Sequence, residues 1–199
     1  MSLIQILRKK CAKTLFTTPS HAQKSFLFHK LRNFYKYDIS ETDIYNPQEA
    51  LLKAEAQASK IYGTKSTLFL TNGSTSGVIS AILACVNNND KVLLWKNSHP
   101  CHKNAVKLAG GSPVYYELEI SPEWGIPLAV DPDKIEKILQ NQNIKALIIT
   151  SPTYEGIVSD VKAIKALCNK YGTYLIVDEA HGALYPFSDN LPQSAVNIA

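Results

Sequence analysis

The sequence has no C-x-x-C pair, no internal repeat, no low-complexity tract and no long apolar run. The four cysteines, Cys11, Cys85, Cys101 and Cys168, follow no regular spacing; they read as buried or free thiols of a reducing compartment, the cytoplasm. The longest apolar stretches, Ala146 to Ile149 and Tyr174 to Val177, are far too short to span a bilayer. A secretory signal is also missing, because no apolar core at the N-terminus leads to a small-residue cleavage site. Charge of neither sign dominates. With 21 basic against 17 acidic residues the net charge is +4, too small and too scattered to argue for nucleic acid. At 45% hydrophobic and 19% charged residues the composition excludes a disordered chain. A length of 199 residues suits one domain or a little more, burying roughly 70% of the unfolded surface.

The first 18 residues are basic and contain no Asp or Glu. That composition fits an organellar transit peptide as well as an N-terminal amphipathic helix with Leu3, Ile6 and Leu7 on one face. Up to about residue 46 the pattern is irregular, and we read 1–46 as an arm or linker preceding a partial major domain over 47–199. Asn46-Pro47 supplies a cap with proline at the first helical position, and Gly63 stands where that helix should stop. Leu51, Leu52, Ala54, Ala58 and Ile61 give its apolar stripe.

From there short apolar runs alternate with helical patterns. Strands are predicted at Thr67 to Leu70, Lys91 to Trp95, Pro113 to Tyr116, Ala146 to Thr150 and Tyr174 to Val177. Helices are predicted at Val78 to Val86, His99 to Ala109, from Asp131-Pro132 onward, and Val161 to Lys170. This alternation indicates an α/β layer structure with a mostly parallel sheet. In such sheets ligands bind beyond the carboxyl ends of strands. Four polar clusters fall there: Asn72 to Gly77, Asn97-Ser98-His99, Thr150 to Gly156, and Asp178-Glu179-Ala180-His181-Gly182.

Neither a Walker loop nor a dinucleotide G-x-G-x-x-G is present, which excludes the reading of Asp178-Glu179-Ala180-His181 as a helicase box. What remains is a Gly-Ser-Thr turn joining a strand to a helix, where Ser74 and Thr75 suit a phosphate dianion. Asp178, at the end of a buried strand, needs a partner such as a protonated heterocyclic nitrogen or a metal. His181 with His99, Cys101 and His102 matches no standard structural zinc spacing, so the nitrogen is preferred. His99, held extended by Pro100, either starts a helix at the surface or sets an imidazole face against a planar ligand. Together these features describe a pyridoxal phosphate site.

On Thr71 to Gly77, Asp90-Lys91-Val92-Leu93-Leu94 leading to Asn97-Ser98-His99, Thr150 to Gly156 and Asp178 to Gly182, the chain resembles the ornithine/lysine/arginine decarboxylases. Asp38-Ile39-Ser40-Glu41 and Asn46-Pro47 also sit where the family's entry segment would. The resemblance implies the three-layer, mostly parallel sheet of the PLP-dependent transferase (aspartate-aminotransferase-like) major domain, in truncated form. It implies that Ser74 and Thr75 hold the cofactor phosphate, His99 stacks on the ring, Asp178 pairs with the ring nitrogen, and His181 lies on the ring's hydroxyl side. It also implies decarboxylation of a basic amino acid, with a homodimer or higher oligomer and no nucleic-acid or membrane partner.

The chain departs from the family in three places. Pro19-Ser20-His21 carries serine where the family has glycine, and Leu184 replaces a second histidine. The family's Ser-x-His-Lys motif, which bears the Schiff-base lysine, is absent. We therefore expect the chain alone to be inactive and marginally stable, with an exposed apolar edge. Two alternatives stay open: an aminotransferase of the same fold, and a non-catalytic fragment or split-gene subunit.

Overall fold

The computed structural model describes residues 4–5 and 49–198, with no account of the Glu49 and Asn197 side chains. The predicted arm, its amphipathic helix, the Asn46-Pro47 cap and the Pro19-Ser20-His21 departure lie outside the described residues. The chain divides after Thr71 into two compact units.

In the first unit, helix α1 spans Glu49–Tyr62 and stops at Gly63, whose φ of 69° is left-handed. Its buried face carries Ala50, Leu51 and Glu55, with Ala54, Ala58 and Tyr62 partly covered. Leu52 and Ile61, predicted on this face, are 52% and 58% exposed. The residues at 51, 55, 58 and 62 follow the 3.6-residue period, whereas 52 and 61 fall to either side of it. The Phe69 N–H donates to the Glu55 carboxylate at 3.1 Å, tying the following segment back to α1. That segment is not the strand expected at residues 67–70. It makes no ladder, and Leu68 and Leu70 are 72% and 48% exposed. An extended apolar run becomes a strand only where a neighbour accepts its N–H groups, and no described strand lies alongside it.

The second unit is built on four parallel strands: β1 (Lys91–Trp95), β2 (Ser112–Tyr116), β3 (Ala146–Thr150) and β4 (Tyr174–Asp178), in the order β2-β1-β3-β4. Four helices accompany them: α2 (Gly73–Cys85), α3 (Pro100–Leu108), α4 (Pro132–Asn141) and α5 (Val161–Tyr171). Successive residues of β1 and β3 point to opposite faces, so both faces must be covered. Val92, Leu94, Ala146 and Ile148 pack with Val78 and Ile82 of α2 and Cys101, Ala105 and Val106 of α3. Leu93, Leu147 and Ile149 pack with Ile135 and Leu139 of α4 and Val161, Ile164 and Cys168 of α5. The result is the three-layer, parallel α/β fold expected from the sequence.

The helix boundaries follow local chemistry. Asp131 caps α4 by accepting from the Asp133 N–H at 2.9 Å, and Pro132 takes the first position. Asp160 caps α5 through the Ala163 N–H at 2.9 Å, and Gly172 closes it with φ 66°. Helix α2 begins earlier than predicted, at Gly73 rather than Val78. The Gly-Ser-Thr stretch is therefore the first turn of the helix itself, not a loop before it.

Candidate functional site

The chain runs from β1 through α3 to β2 on one side, and β3 then pairs on the other side of β1. This reversal opens a crevice beyond the carboxyl ends of the strands. A cavity of about 280 Å³ lies there, lined by Ser74, Thr75, Trp95, His99, Cys101, Thr150, Tyr154, Asp178, Ala180 and His181. Trp95, Thr150 and Asp178 are the last residues of β1, β3 and β4. All five residues singled out from the sequence, Ser74, Thr75, His99, Asp178 and His181, line this one cavity.

Each polar cluster is divided between the cavity and the scaffold beneath it. In the first turn of α2, Ser76 Oγ donates to the Gly73 carbonyl at 2.9 Å, leaving Ser74 and Thr75 at the cavity. The N-cap residue Asn72 makes no side-chain capping bond, so the N-terminal N–H groups of this helix are free for an anion. In the segment after β3, the buried Ser151 accepts from the Ser159 N–H at 3.1 Å, and the buried Thr153 accepts from the Ile157 N–H at 3.3 Å. Only Thr150 and Tyr154 of that cluster reach the cavity. After β4, Glu179 accepts from Ser194 Oγ at 2.6 Å and the Ala195 N–H at 2.8 Å, anchoring the later chain rather than the site.

His99 joins the two readings the sequence left apart. Its Nδ1 accepts from the Cys101 N–H at 3.3 Å as the cap of α3, and its ring also lines the cavity. The cap fixes the ring's orientation. Asp178 is the most constrained group present. Its side chain is 12% exposed, Oδ2 accepts from His102 Nε2 at 3.0 Å, and Oδ1 accepts from the Ala180 N–H at 3.2 Å. The hydrogen bond from His102 holds the Asp178 carboxyl below its ordinary range, against the opposing effect of burial; the Ala180 N–H and then the electrostatic pull of His102 and of His99 act more weakly in the same direction. Burial and the neighbouring Asp178 charge push the Cys101 thiol up, so it lines the wall as a thiol rather than a nucleophilic thiolate. His181 is exposed at the rim, its ring 5.0 Å from that of Tyr154 in an edge-on contact at 62°.

Two residues of this site were given no such role by the sequence reading, which weighed His102 only as a metal ligand. His102 is fully buried and is Asp178's partner across 76 residues. The signal available was its position in the first turn of α3, three residues after the cap His99, whose ring it meets edge-on at 6.4 Å, but nothing local pointed to Asp178. Thr150 was noted only within its cluster. Its Oγ1 is buried at the cavity wall with no partner, and among the described residues His102 Nδ1 is the other such side-chain atom. Unpaired buried polar atoms are uncommon, and both of these flank Asp178. The arrangement fits a planar ligand with an anionic group at α2 and a cationic N–H at Asp178. No lysine is among the lining residues.

Fold and cavity define a parallel α/β domain with a polar cavity at its topological switch point. The chain belongs to the Orn/Lys/Arg decarboxylase major-domain family, whose model matches residues 9–199. It is 30% identical to the uncharacterised protein YaaO of Bacillus subtilis over 99% of this chain and 42% of that protein. It is 29% identical to an arginine decarboxylase of Bacillus cereus over 77% of this chain and 34% of that one. The chain thus spans less than half the length of these relatives. Among solved structures, a lysine decarboxylase of Francisella novicida superposes with a TM-score of 0.69 at 22% identity, covering 82% of this chain and 26% of the other. A Thermus thermophilus aspartate aminotransferase double mutant gives 0.51 at 25% identity, covering 64% and 34%.

Proposed function

We propose that the cavity is a pyridoxal 5′-phosphate site and that this chain carries the cofactor-cradling part of a basic amino-acid decarboxylase. The supporting observation is the convergence of an uncapped helix start, an oriented imidazole and a largely covered carboxylate on one cavity. When bound, the cofactor supplies an electron-accepting ring for loss of the substrate α-carboxylate as CO2. Ser74, Thr75 and the first N–H groups of α2 hold its phosphate. His99 lies against the ring face, and Asp178 keeps the ring nitrogen protonated. His181, at the rim beside Tyr154, orients groups on the hydroxyl side of the ring, and the unpaired Thr150 hydroxyl is a further donor in the wall. The substrate is lysine, arginine or ornithine, and the family resemblance further implies an oligomer acting in the cytoplasm.

Among the described residues no lysine lines the cavity, so the described lining supplies the non-covalent half of such a site. The chain should therefore bind pyridoxal 5′-phosphate reversibly, read as quenching of tryptophan fluorescence through Trp95 at the cavity wall and lost in Trp95→Phe. Thr75→Ala should weaken binding by about tenfold, the loss of one hydrogen bond to a charged group. Borohydride should trap no covalent adduct at the site, and lysine, arginine and ornithine should release no CO2. Failure of the chain to bind, or binding indifferent to Asp178→Ala, would overturn the site assignment. A trappable adduct with amine production would overturn the expected inactivity, and amino-group transfer instead of CO2 release would favour an aminotransferase.

A further inference from the structure

The cofactor reading needs a carboxylate at Asp178 but says nothing of what lies behind it. His102 sits there with no solvent exposure, Nε2 3.0 Å from Asp178 Oδ2 and Nδ1 without a partner. These three facts restrict the protonation pattern of the ring. A doubly protonated imidazole would bury an unpaired N–H and a second charge. A singly protonated ring with its hydrogen on Nε2 leaves only an unpaired lone pair, the more tolerable orphan. The pair then carries one net negative charge rather than none.

We propose that His102 is a positioning residue that, as a neutral donor through Nε2–H, fixes the Asp178 carboxylate and leaves its charge available to a cationic N–H of the bound ligand. With the Ala180 N–H on Oδ1, each carboxylate oxygen has one donor from the protein side and one direction left for the cavity. A cationic partner at this position would neutralise Asp178 before any ligand arrived. The other titratable groups around Asp178 are His99 and Cys101 from the start of α3, Tyr154 from the segment after β3, and Glu179 and His181 from the turn after β4. Helix α2 and strand β3 contribute only the hydroxyls of Ser74, Thr75 and Thr150.

This inference rests on the cofactor reading for its purpose but is decided on the full chain without cofactor. Long-range ¹⁵N imidazole spectra, assigned with His102→Gln, should show His102 as the neutral, Nε2-protonated tautomer near neutral pH. Carboxyl ¹³C titration, assigned with Asp178→Asn, should show the Asp178 midpoint moving upward in His102→Leu. His102→Gln, whose amide N–H can reach the same oxygen, should return it towards the wild-type value. With pyridoxal 5′-phosphate as probe, His102→Leu should bind about tenfold more weakly and His102→Gln close to wild type. A doubly protonated His102, or an Asp178 midpoint equal in the Leu and Gln variants, would overturn the proposal. If His102→Leu does not fold, the wild-type tautomer and the His102→Gln midpoint decide the question. Should wild type fail to bind the cofactor while the spectra come out as expected, the cofactor reading falls and the His102 assignment stands.

Discussion

Asp178 shows how a residue's chemistry depends on bonds that are invisible in its neighbours along the chain. Its folded carboxyl titrates below the ordinary aspartate value of about 3.9. A depressed folded value means that the stabilisation is complete above the unfolded value and is lost as pH falls through the folded one. Urea midpoints measured from pH 6 to pH 2 should therefore fall more steeply for wild type than for Asp178→Asn, with the extra loss beginning below about pH 4. Ser74, Thr75 and Asp178 were legible as residues of one cavity because a Gly-Ser-Thr stretch and a strand-end aspartate carry recognisable chemistry. His102 was not, because its significance arises only when α3 folds against β4. The same limit applies to Ser151, Thr153 and Glu179, polar residues in the predicted clusters that turned out to brace loops.

At the scale of elements, the strands buried on both faces were the most legible. The runs at β1 and β3 were predicted over the residues they occupy, because continuous Val, Leu and Ile leave no other way to bury both sides. Capped helices were nearly as clear, as at Asp131-Pro132. The run at residues 67–70 misled because a strand is a property of a pair, and composition alone does not supply the second member. Packing gives a direct test at this level. Ile148 is 1% exposed in the central strand β3, within the cluster formed with α2 and α3. Ile148→Ala should cost about 2–5 kcal/mol in denaturant unfolding. Gly172→Ala, which forces a side chain into a left-handed conformation with open space around it, should cost about 1–2 kcal/mol.

For the molecule as a whole, the sheet ends on both sides in strands whose outer edges pair with no described strand. Tyr174 on β4 is 53% exposed, and Leu184 and Phe187 in the segment after it are 71% and 50% exposed. Unpaired edges beside apolar surface favour association. Light scattering on the purified chain should accordingly show size rising with protein concentration, and a charged substitution such as Tyr174→Lys should reduce it.

Because all four strands run the same way, every residue at the cavity sits at one rim of the sheet, and the connections at the opposite rim are chemically idle. The turn from Gln142 to Lys145, which carries the chain from α4 into β3, belongs to that idle rim. A fluorophore attached at the exposed Asn143 would be held a strand's length from the cavity, while the buried Ile144 beside it, whose carbonyl accepts from Thr173 Oγ1 at 2.9 Å, keeps the turn anchored in the core. The protein is in this respect a one-sided tool, with its chemistry at one end and a free handle at the other.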